Sequence, residues 1–462
     1  MELSNRILKF GLNNTNSLLI NPINGAIDIV PNKIFSLRYT LENSKQILGD
    51  SEREYLTNRG YFFSEQKRED MLIDLESISK QHSQKVPYWF YVLTTLNCNF
   101  GCPICYEKKT LENSEISLKK LEKIINTVNV FQKEHKLSDS RINLVIFGGE
   151  PLCVSNPELI HQILEISSEH KWKNIIVTNG SRVNNFIDMF IKYSNTISDF
   201  RVTLDGPRIV HDSRRSYLGG RGSFNDTVNA IDLLLEKNLS VKMQTILGAG
   251  NISYFEDLIK FVKEKDWLQN SLFQWRIEGS HDYTNLDIKK DEISEGKIVQ
   301  KLIYSLEEHR ELQGKLKFES FKYLGHIVQS FGWLGKYNTY FGPKYGFCEP
   351  QKGFHYVFST NGKIYHCPRT INNSDFCVGT IEENAILSNE LKNKTVLDNP
   401  KCSQCTINTL CGGGCVVQKK YYQKLNCQEY ALSTIAEFID LTKDKILEHA
   451  SSDKIVSINN LW

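Results

Sequence analysis

Leu96-Asn97-Cys98-Asn99-Phe100-Gly101-Cys102-Pro103-Ile104-Cys105 sets three cysteines at C-x3-C-x2-C spacing, directly after the run Trp89 to Leu93, whose aromatic and branched residues predict a strand. Three thiolates in one tight loop can hold three irons of a [4Fe-4S] cube and leave the fourth iron without a protein ligand. An iron left open in this way is a place for chemistry. Zinc is the alternative, but a structural zinc takes four closed ligands, and no fourth Cys or His lies nearby in the sequence.

Outward from this loop, apolar runs alternate with amphipathic stretches. Strands are predicted at 89–93, 142–147, 174–178, 200–204, 241–247 and 272–277, with helical periodicity at 118–135, 157–168, 181–193, 224–237 and 254–265. Six βα repeats predict an α/β fold, a partial (β/α)6 TIM-like barrel with its chemistry at the carboxyl ends of the strands. Ser223, three residues before Asp226, predicts the N-cap of the fourth helix. The second strand ends in Gly148-Gly149-Glu150-Pro151-Leu152, the third in VTNG at 177–180 and the fourth in VTLDGPRIVHDSRR at 202–215. Alone, GGEP is an ordinary strand-ending turn. GGRGS at 219–223 lacks the Lys-Ser/Thr of a phosphate loop and is read as a turn.

A second cysteine array closes the chain: Cys348-x13-Gly362-x4-Cys367, then Cys402-x2-Cys405-x5-Cys411-x3-Cys415, then Cys427. The segment is short-stranded and cannot bury much core, so metal is its expected staple. A zinc ribbon is the plain alternative for its C-x2-C pairs. Cys153 is read as a buried core thiol, and His355 and His366 as hydrogen-bonding or packing residues.

The first loop, with GGEP one βα unit later, resembles the radical S-adenosylmethionine (SAM) superfamily, and the second array is similar to the SPASM pattern. The resemblance implies that Cys98, Cys102 and Cys105 hold a cluster whose open iron is chelated by the amine and carboxylate of SAM. One electron then splits SAM into methionine and a 5'-deoxyadenosyl radical that abstracts substrate hydrogen. It implies SAM contacts from Gly148, Gly149 and Glu150, which receive the methionyl ammonium, from Thr203 and Arg215, and from the backbone of Ile104 beside the adenine. Two auxiliary clusters are implied, one closed by Cys402, Cys405, Cys411 and Cys427, the other held by Cys348, Cys367 and Cys415. Gly412 to Gly414 would let the chain pass between them. The missing fourth ligand has three candidates: an open iron, a non-cysteine group, or Cys377 folding back. Three [4Fe-4S] clusters and SAM are thus the expected cofactors.

The remainder bounds the function. With 56 basic against 54 acidic residues, the net charge of +2 gives no electrostatic case for a nucleic-acid or acidic-membrane partner. Twelve cysteines in 462 residues are too few and too clustered for a disulfide scaffold. No secretory or membrane-spanning segment is read, so a cytoplasmic protein is expected. Four regions are expected: residues 1–87, an α+β hairpin unit with a linker helix at 64–87; 88–290, the barrel; 291–347, a helical and aromatic connector; and 348–462, the SPASM region with a closing helix. The expected function is that of a radical SAM oxidoreductase that crosslinks or otherwise oxidises a ribosomally made peptide. Residues 1–87 resemble in pattern a leader-peptide recognition unit that binds by strand addition, a simple structural cap being the other reading, and a flavodoxin or ferredoxin is read as supplying electrons. The alternatives are a sulfatase-maturating protein oxidase and a non-catalytic metal-binding or electron-transfer protein. Pro368, where sulfatase-maturating relatives carry a basic Asp after the second SPASM cysteine, weakens the first.

Overall fold

The computed structural model describes residues 2–3, 6–35, 48–63, 77–81, 84–107, 113–280, 291–335, 342–382, 395–421, 427–451 and 454–459. Most of the linker helix expected at 64–87 lies outside them.

The N-terminal unit contains β1 (Glu2–Leu3), β2 (Leu8–Gly11), β3 (Asn16–Ile20), β4 (Ile27–Pro31) and β5 (Phe62–Phe63). The expected hairpin is β3–β4, closed where Asn21 N donates to Ala26 O and Gly25 N to Asn21 O. Its far edge is covered by β16 (Val456–Ser457) from the other end of the chain. Asn459 fastens that strand: its Oδ1 accepts from Ile27 N at 2.9 Å and its Nδ2 donates to Gly25 O at 2.7 Å.

All six expected barrel strands are present: β6 (Tyr88–Thr95), β7 (Ile142–Gly148), β8 (Lys173–Thr178), β9 (Ile197–Thr203), β10 (Val241–Leu247) and β11 (Phe273–Gly279), paired in parallel in that order. Two more parallel strands extend this array, one at each edge. β12 (Leu316–Phe318), in the stretch read as a connector, adds a seventh parallel strand beside β11. On the opposite edge, β13 (His355–Phe358) pairs in parallel with β6 and carries the antiparallel β14 (Lys363–Tyr365) and β15 (Cys377–Thr380). The second cysteine array therefore grows directly out of the barrel sheet.

The sheet is rolled. Strands β6 and β9 are three apart, roughly 14 Å in a flat sheet, yet the Arg201 guanidinium stands 5.6 Å from the Trp89 ring. The outer face is apolar and covered by helices. In Leu118–Glu134, Leu121, Ile124, Ile125, Val128 and Phe131 fall at helical spacing and are buried, with Ser117 Oγ capping Lys120 N. Phe131 packs edge-on against Tyr88, Phe90 and Tyr356, locking β6 to β13.

Two local expectations are corrected. Helix Phe224–Glu236 is capped by Asp212, whose Oδ1 accepts from Ser223 N and Phe224 N at 2.8 Å each; the Ser223 hydroxyl instead meets His211 at 3.0 Å. The closing helix breaks at Thr442, leaving Ile435, Phe438 and Ile439 buried in Cys427–Leu441 and Ile446 in Lys443–Leu447.

Candidate active site

The loop from Asn97 to Glu107 leaves the carboxyl end of β6 and is clasped from three neighbouring strand ends. At the β7 end, Gly149 N donates to Thr95 O (3.0 Å) and Glu150 N to Asn97 O (2.8 Å). Gly148 sits at φ +145°, where a Cβ would overlap the Thr95 carbonyl, and a Cβ on Gly149 would lie 2.6 Å from Asn97 O. The two glycines let one backbone rest on another. At the β8 end, Asn179 Nδ2 donates to Asn99 Oδ1 (2.9 Å) and Asn99 Nδ2 to Ser181 Oγ (2.8 Å). Beyond β9, Gly101 N donates to Ser216 O and Leu218 N to Asn99 O, while Phe100 meets the Tyr217 ring edge-on at 4.7 Å.

Within this clasp Cys98, Cys102 and Cys105 face one another. Desolvation pushes the Cys105 thiol up to about 12, with Glu107 and Cys102 adding to it; Cys98 is raised in the same way, with Glu150, Cys102 and Cys105 adding. Such thiols stay protonated until metal binding expels the proton. Arg215 donates to Asp205 Oδ2 at 2.7 Å and stands near enough to Cys102 to favour its thiolate, so it is no surface ion pair. Glu150 is 1% exposed. Its Oε1 accepts from Thr178 Oγ1 (2.7 Å) and Leu152 N (3.1 Å), its Oε2 from Asn179 N (2.7 Å). Burial nevertheless pushes this acid up to about 7. Glu150 thus ties the ends of β7 and β8 and keeps acceptor capacity on Oε2. Thr203 ends β9 opposite Gln244, half-buried, and Ile104 lies half-buried between Cys102 and Cys105.

The seven thiols of the second array fall into two sets. Desolvation raises Cys348 to about 12, with Cys367 and Cys415 adding, and Cys415 also acts on Cys367. Separately, Cys402 and Cys427 act on Cys405, and Cys405 acts on Cys411, which desolvation raises to about 11. Gly412, Gly413 and Gly414 all have positive φ, and a Cβ on Gly412 would lie 2.6 Å from Gly346 O, so this turn presses the second set against the approach to Cys348. Cys377 points elsewhere: its Sγ donates to Gly379 O at 3.4 Å, and it packs with Val357, Tyr365 and Ile371. Cys153 is half-exposed, near Asn99 and Arg182, and so is not in the core as expected. His366 Nδ1 meets His355 O at 2.9 Å, and the His355 ring packs on Trp89 and Tyr91.

Clustered thiols are the donor set that iron-sulfur clusters take. Among the described residues, Glu256, Glu308 and His309 bring ligand atoms within 4.8 Å of one another, with Lys301 and Ser305 already bonded to Glu256.

The superfamily model described as "Radical SAM superfamily" matches residues 92–262, from the first barrel strand through the helix after β10. Residues 92–262 form a radical SAM domain. The domain brings one [4Fe-4S] cluster and SAM as cofactors, and it makes the chain an enzyme of SAM chemistry. The chain is 24% identical over 340 residues to a cysteine-type anaerobic sulfatase-maturating enzyme of Clostridium novyi, taking in 69% of this chain and 85% of that protein. It is 25% identical over 180 residues to the radical SAM cyclopropyl synthase TigE of Paramaledivibacter caminithermalis, a match confined to 36% of this chain and 37% of TigE. In fold it is similar to anSMEcpe with bound AdoMet and Cp18Cys peptide (TM-score 0.56, 18% identity, 78% of this chain and 98% of that one). It is also similar to Streptococcus suis SuiB bound to precursor peptide SuiA (TM-score 0.54, 15% identity, 92% and 97%). No helix among the described residues is long and apolar enough to cross a membrane.

Reasoning from sequence missed Asn99, Asn179 and Ser181, which brace the radical SAM loop, and Tyr106, Glu107 and Arg369. Adjacency to Cys98 or Cys105 was the signal for Asn99, Tyr106 and Glu107; Asn179, Ser181 and Arg369 carried none.

Proposed function

We propose that the chain is a radical SAM/SPASM peptide maturase that abstracts hydrogen from a peptide and leaves a crosslink or other oxidation. Cys98, Cys102 and Cys105 hold the SAM-binding cluster, with Gly148, Gly149, Glu150, Thr203, Arg215 and the Ile104 backbone around SAM. Cys402, Cys405, Cys411 and Cys427 close one auxiliary cluster, and Cys348, Cys367 and Cys415 hold the other. When bound, the first cluster supplies the electron that splits SAM. The observation that carries the reading is Tyr106. Burial raises its hydroxyl well above the usual range, with Glu107, Cys105 and Cys367 adding to it and Arg369, 5.6 Å from its ring, opposing it. This supports a reading in which the first cysteine loop and the Cys367 segment serve one site.

The peptide lies against the inner strand faces, where Arg276 pairs with Glu278 (2.6 Å) and Glu319 (2.9 Å), and Tyr91 stands opposite. The orientation of Cys377 favours an open iron or a non-cysteine ligand in the three-thiol centre. A leader peptide would add its strand at β2, because β16 covers β4. A flavodoxin or ferredoxin serves as reductant. Similarity along most of the Clostridium novyi enzyme keeps protein oxidation in a sulfatase as the second reading, against which Pro368 stands.

The test is mass spectrometry after anaerobic turnover with SAM, a reductant and candidate peptides, namely short precursors encoded beside the gene and a sulfatase Cys peptide. Loss of two hydrogens with a new crosslink supports the proposal. Conversion of the sulfatase Cys alone selects the second reading. Solvent deuterium uptake without mass loss from two hydrogens means epimerisation instead.

A further inference from the structure

The stretch that carries Cys402, Cys405 and Cys411 does not hold itself. Its two helices, Pro400–Ser403 and Asn408–Cys411, are single turns, too short to be stable by their own backbone bonds. Asn399 caps the start of the first, its Oδ1 accepting from Lys401 N at 3.0 Å and Cys402 N at 3.3 Å. The carbonyls at and beyond the other end are met from the far end of the chain. Arg6, 4% exposed, donates from Nη1 to Cys405 O at 2.9 Å and from Nη2 to Ser403 O at 3.2 Å. Further along, the Thr409 hydroxyl donates to Pro22 O in the β3–β4 turn. One guanidinium and one carbonyl of the N-terminal unit thus fasten the cysteine stretch at two points.

The same unit offers a sheet edge. In the order β16-β4-β3-β2, β16 covers β4, and no strand lies beyond β2 among the described residues. Arg6 precedes Leu8, the first residue of β2, by two positions. Leu8 packs in the main core, to which Ile407, Leu410 and Cys411 also belong, and Ile7 packs in the unit's own core with Leu19 and Tyr61. The backbone from Arg6 to Gly11 is therefore fixed at one end by the cysteine stretch and along the rest by pairing with β3. Ordering either part orders the other.

We propose that Arg6 couples the β2 edge to the Cys402, Cys405, Cys411 and Cys427 centre, so that a peptide strand added along β2 binds more tightly when that centre is assembled. By linkage, a bound peptide favours the assembled centre to the same extent. The inference rests on the reading of β2 as the peptide's edge and of those thiols as holding a cluster. Arg6 acts through two backbone carbonyls and is a positioning residue. A lysine in its place keeps the charge but loses the planar fork that spans both carbonyls.

The test is hydrogen exchange with mass spectrometry on the anaerobically reconstituted full chain, with iron counted and EPR spectra of the reduced state recorded on the same samples. Exchange across 7–12 should quicken about tenfold in Arg6→Gln, as expected for loss of a charge-assisted bond pair. It should quicken likewise in the Cys402→Ala, Cys405→Ala variant, while 27–31, held by β16, exchanges as in the wild type. The spectrum of one auxiliary centre should change in Arg6→Gln, and Arg6→Lys should recover part of both effects. Fluorescently labelled precursor peptides encoded beside the gene, followed by anisotropy, should bind Arg6→Gln about tenfold more weakly than the wild type. Unchanged exchange across 7–12 in the cysteine variant, or an unchanged spectrum and affinity in iron-replete Arg6→Gln, overturns the coupling and leaves the function above standing. Precursors that do not bind the wild type, or a wild type holding iron for one cluster alone, overturn the reading beneath it and the coupling together.

Discussion

A single methyl group at position 149 has nowhere to go, because the Asn97 carbonyl would stand 2.6 Å from it. Gly149→Ala should therefore displace the cysteine loop itself, and iron analysis should show a loss of roughly four atoms per chain with the far-ultraviolet circular dichroism unchanged. The sequence marked these glycines as a strand-ending turn and, through the resemblance, as SAM contacts; the close backbone approach shows only once β6 and β7 are paired. The stacking of Arg369 near the Tyr106 ring was not legible. A cation two residues after a cysteine says nothing about which side chain it meets until the strands are placed.

Among the elements, long periodic segments were readable and short ones were not. The strand INLVIF and the helix from Leu118 to Glu134 carry enough apolar positions to fix their type, whereas three-residue β12 carries none of that signal and shows itself only by pairing with β11. Capping followed the tertiary structure. Asp212 reaches across from another helix to the N-terminus that Ser223 was expected to cap. Asp212→Ala should cost about 1–2 kcal/mol in a denaturant titration, more than an ordinary surface change. Between helices Phe255–Glu264 and Glu295–Glu308, desolvation opposes ionisation of Glu256, but bonds from Lys301, Ser305 and His309 outweigh it and pull the acid down to about 2. An acid depressed in the fold contributes stability that is present above its unfolded pKa near 4.5 and lost as pH falls toward 2. Glu256→Gln should flatten the unfolding profile across that window and cost about 1 kcal/mol at neutral pH, the pair being partly solvent-screened.

At the scale of the whole molecule, the barrel sheet does not stop where the radical SAM match stops. It continues through β13 into the cysteine-rich segment, which is why Cys367 arrives beside the loop that starts at Cys98. The resemblance implied how the thiols are grouped; neither it nor the spacings could foretell that one sheet carries the N-terminal set and Cys367, because strand order is a long-range property. Replacing Cys98, Cys102 and Cys105, or Cys348, Cys367 and Cys415, or Cys402, Cys405, Cys411 and Cys427 by Ala should remove about four irons from each variant, with thermal unfolding recording any structural loss in the two auxiliary variants. The most direct test is the yield of 5'-deoxyadenosine from SAM and a reductant under anaerobic conditions, compared between the wild-type chain and the Cys98→Ala, Cys102→Ala, Cys105→Ala variant. Release from the former and none from the latter, with auxiliary iron retained, is the predicted result; equal release from both, or none from an iron-replete wild type, contradicts it.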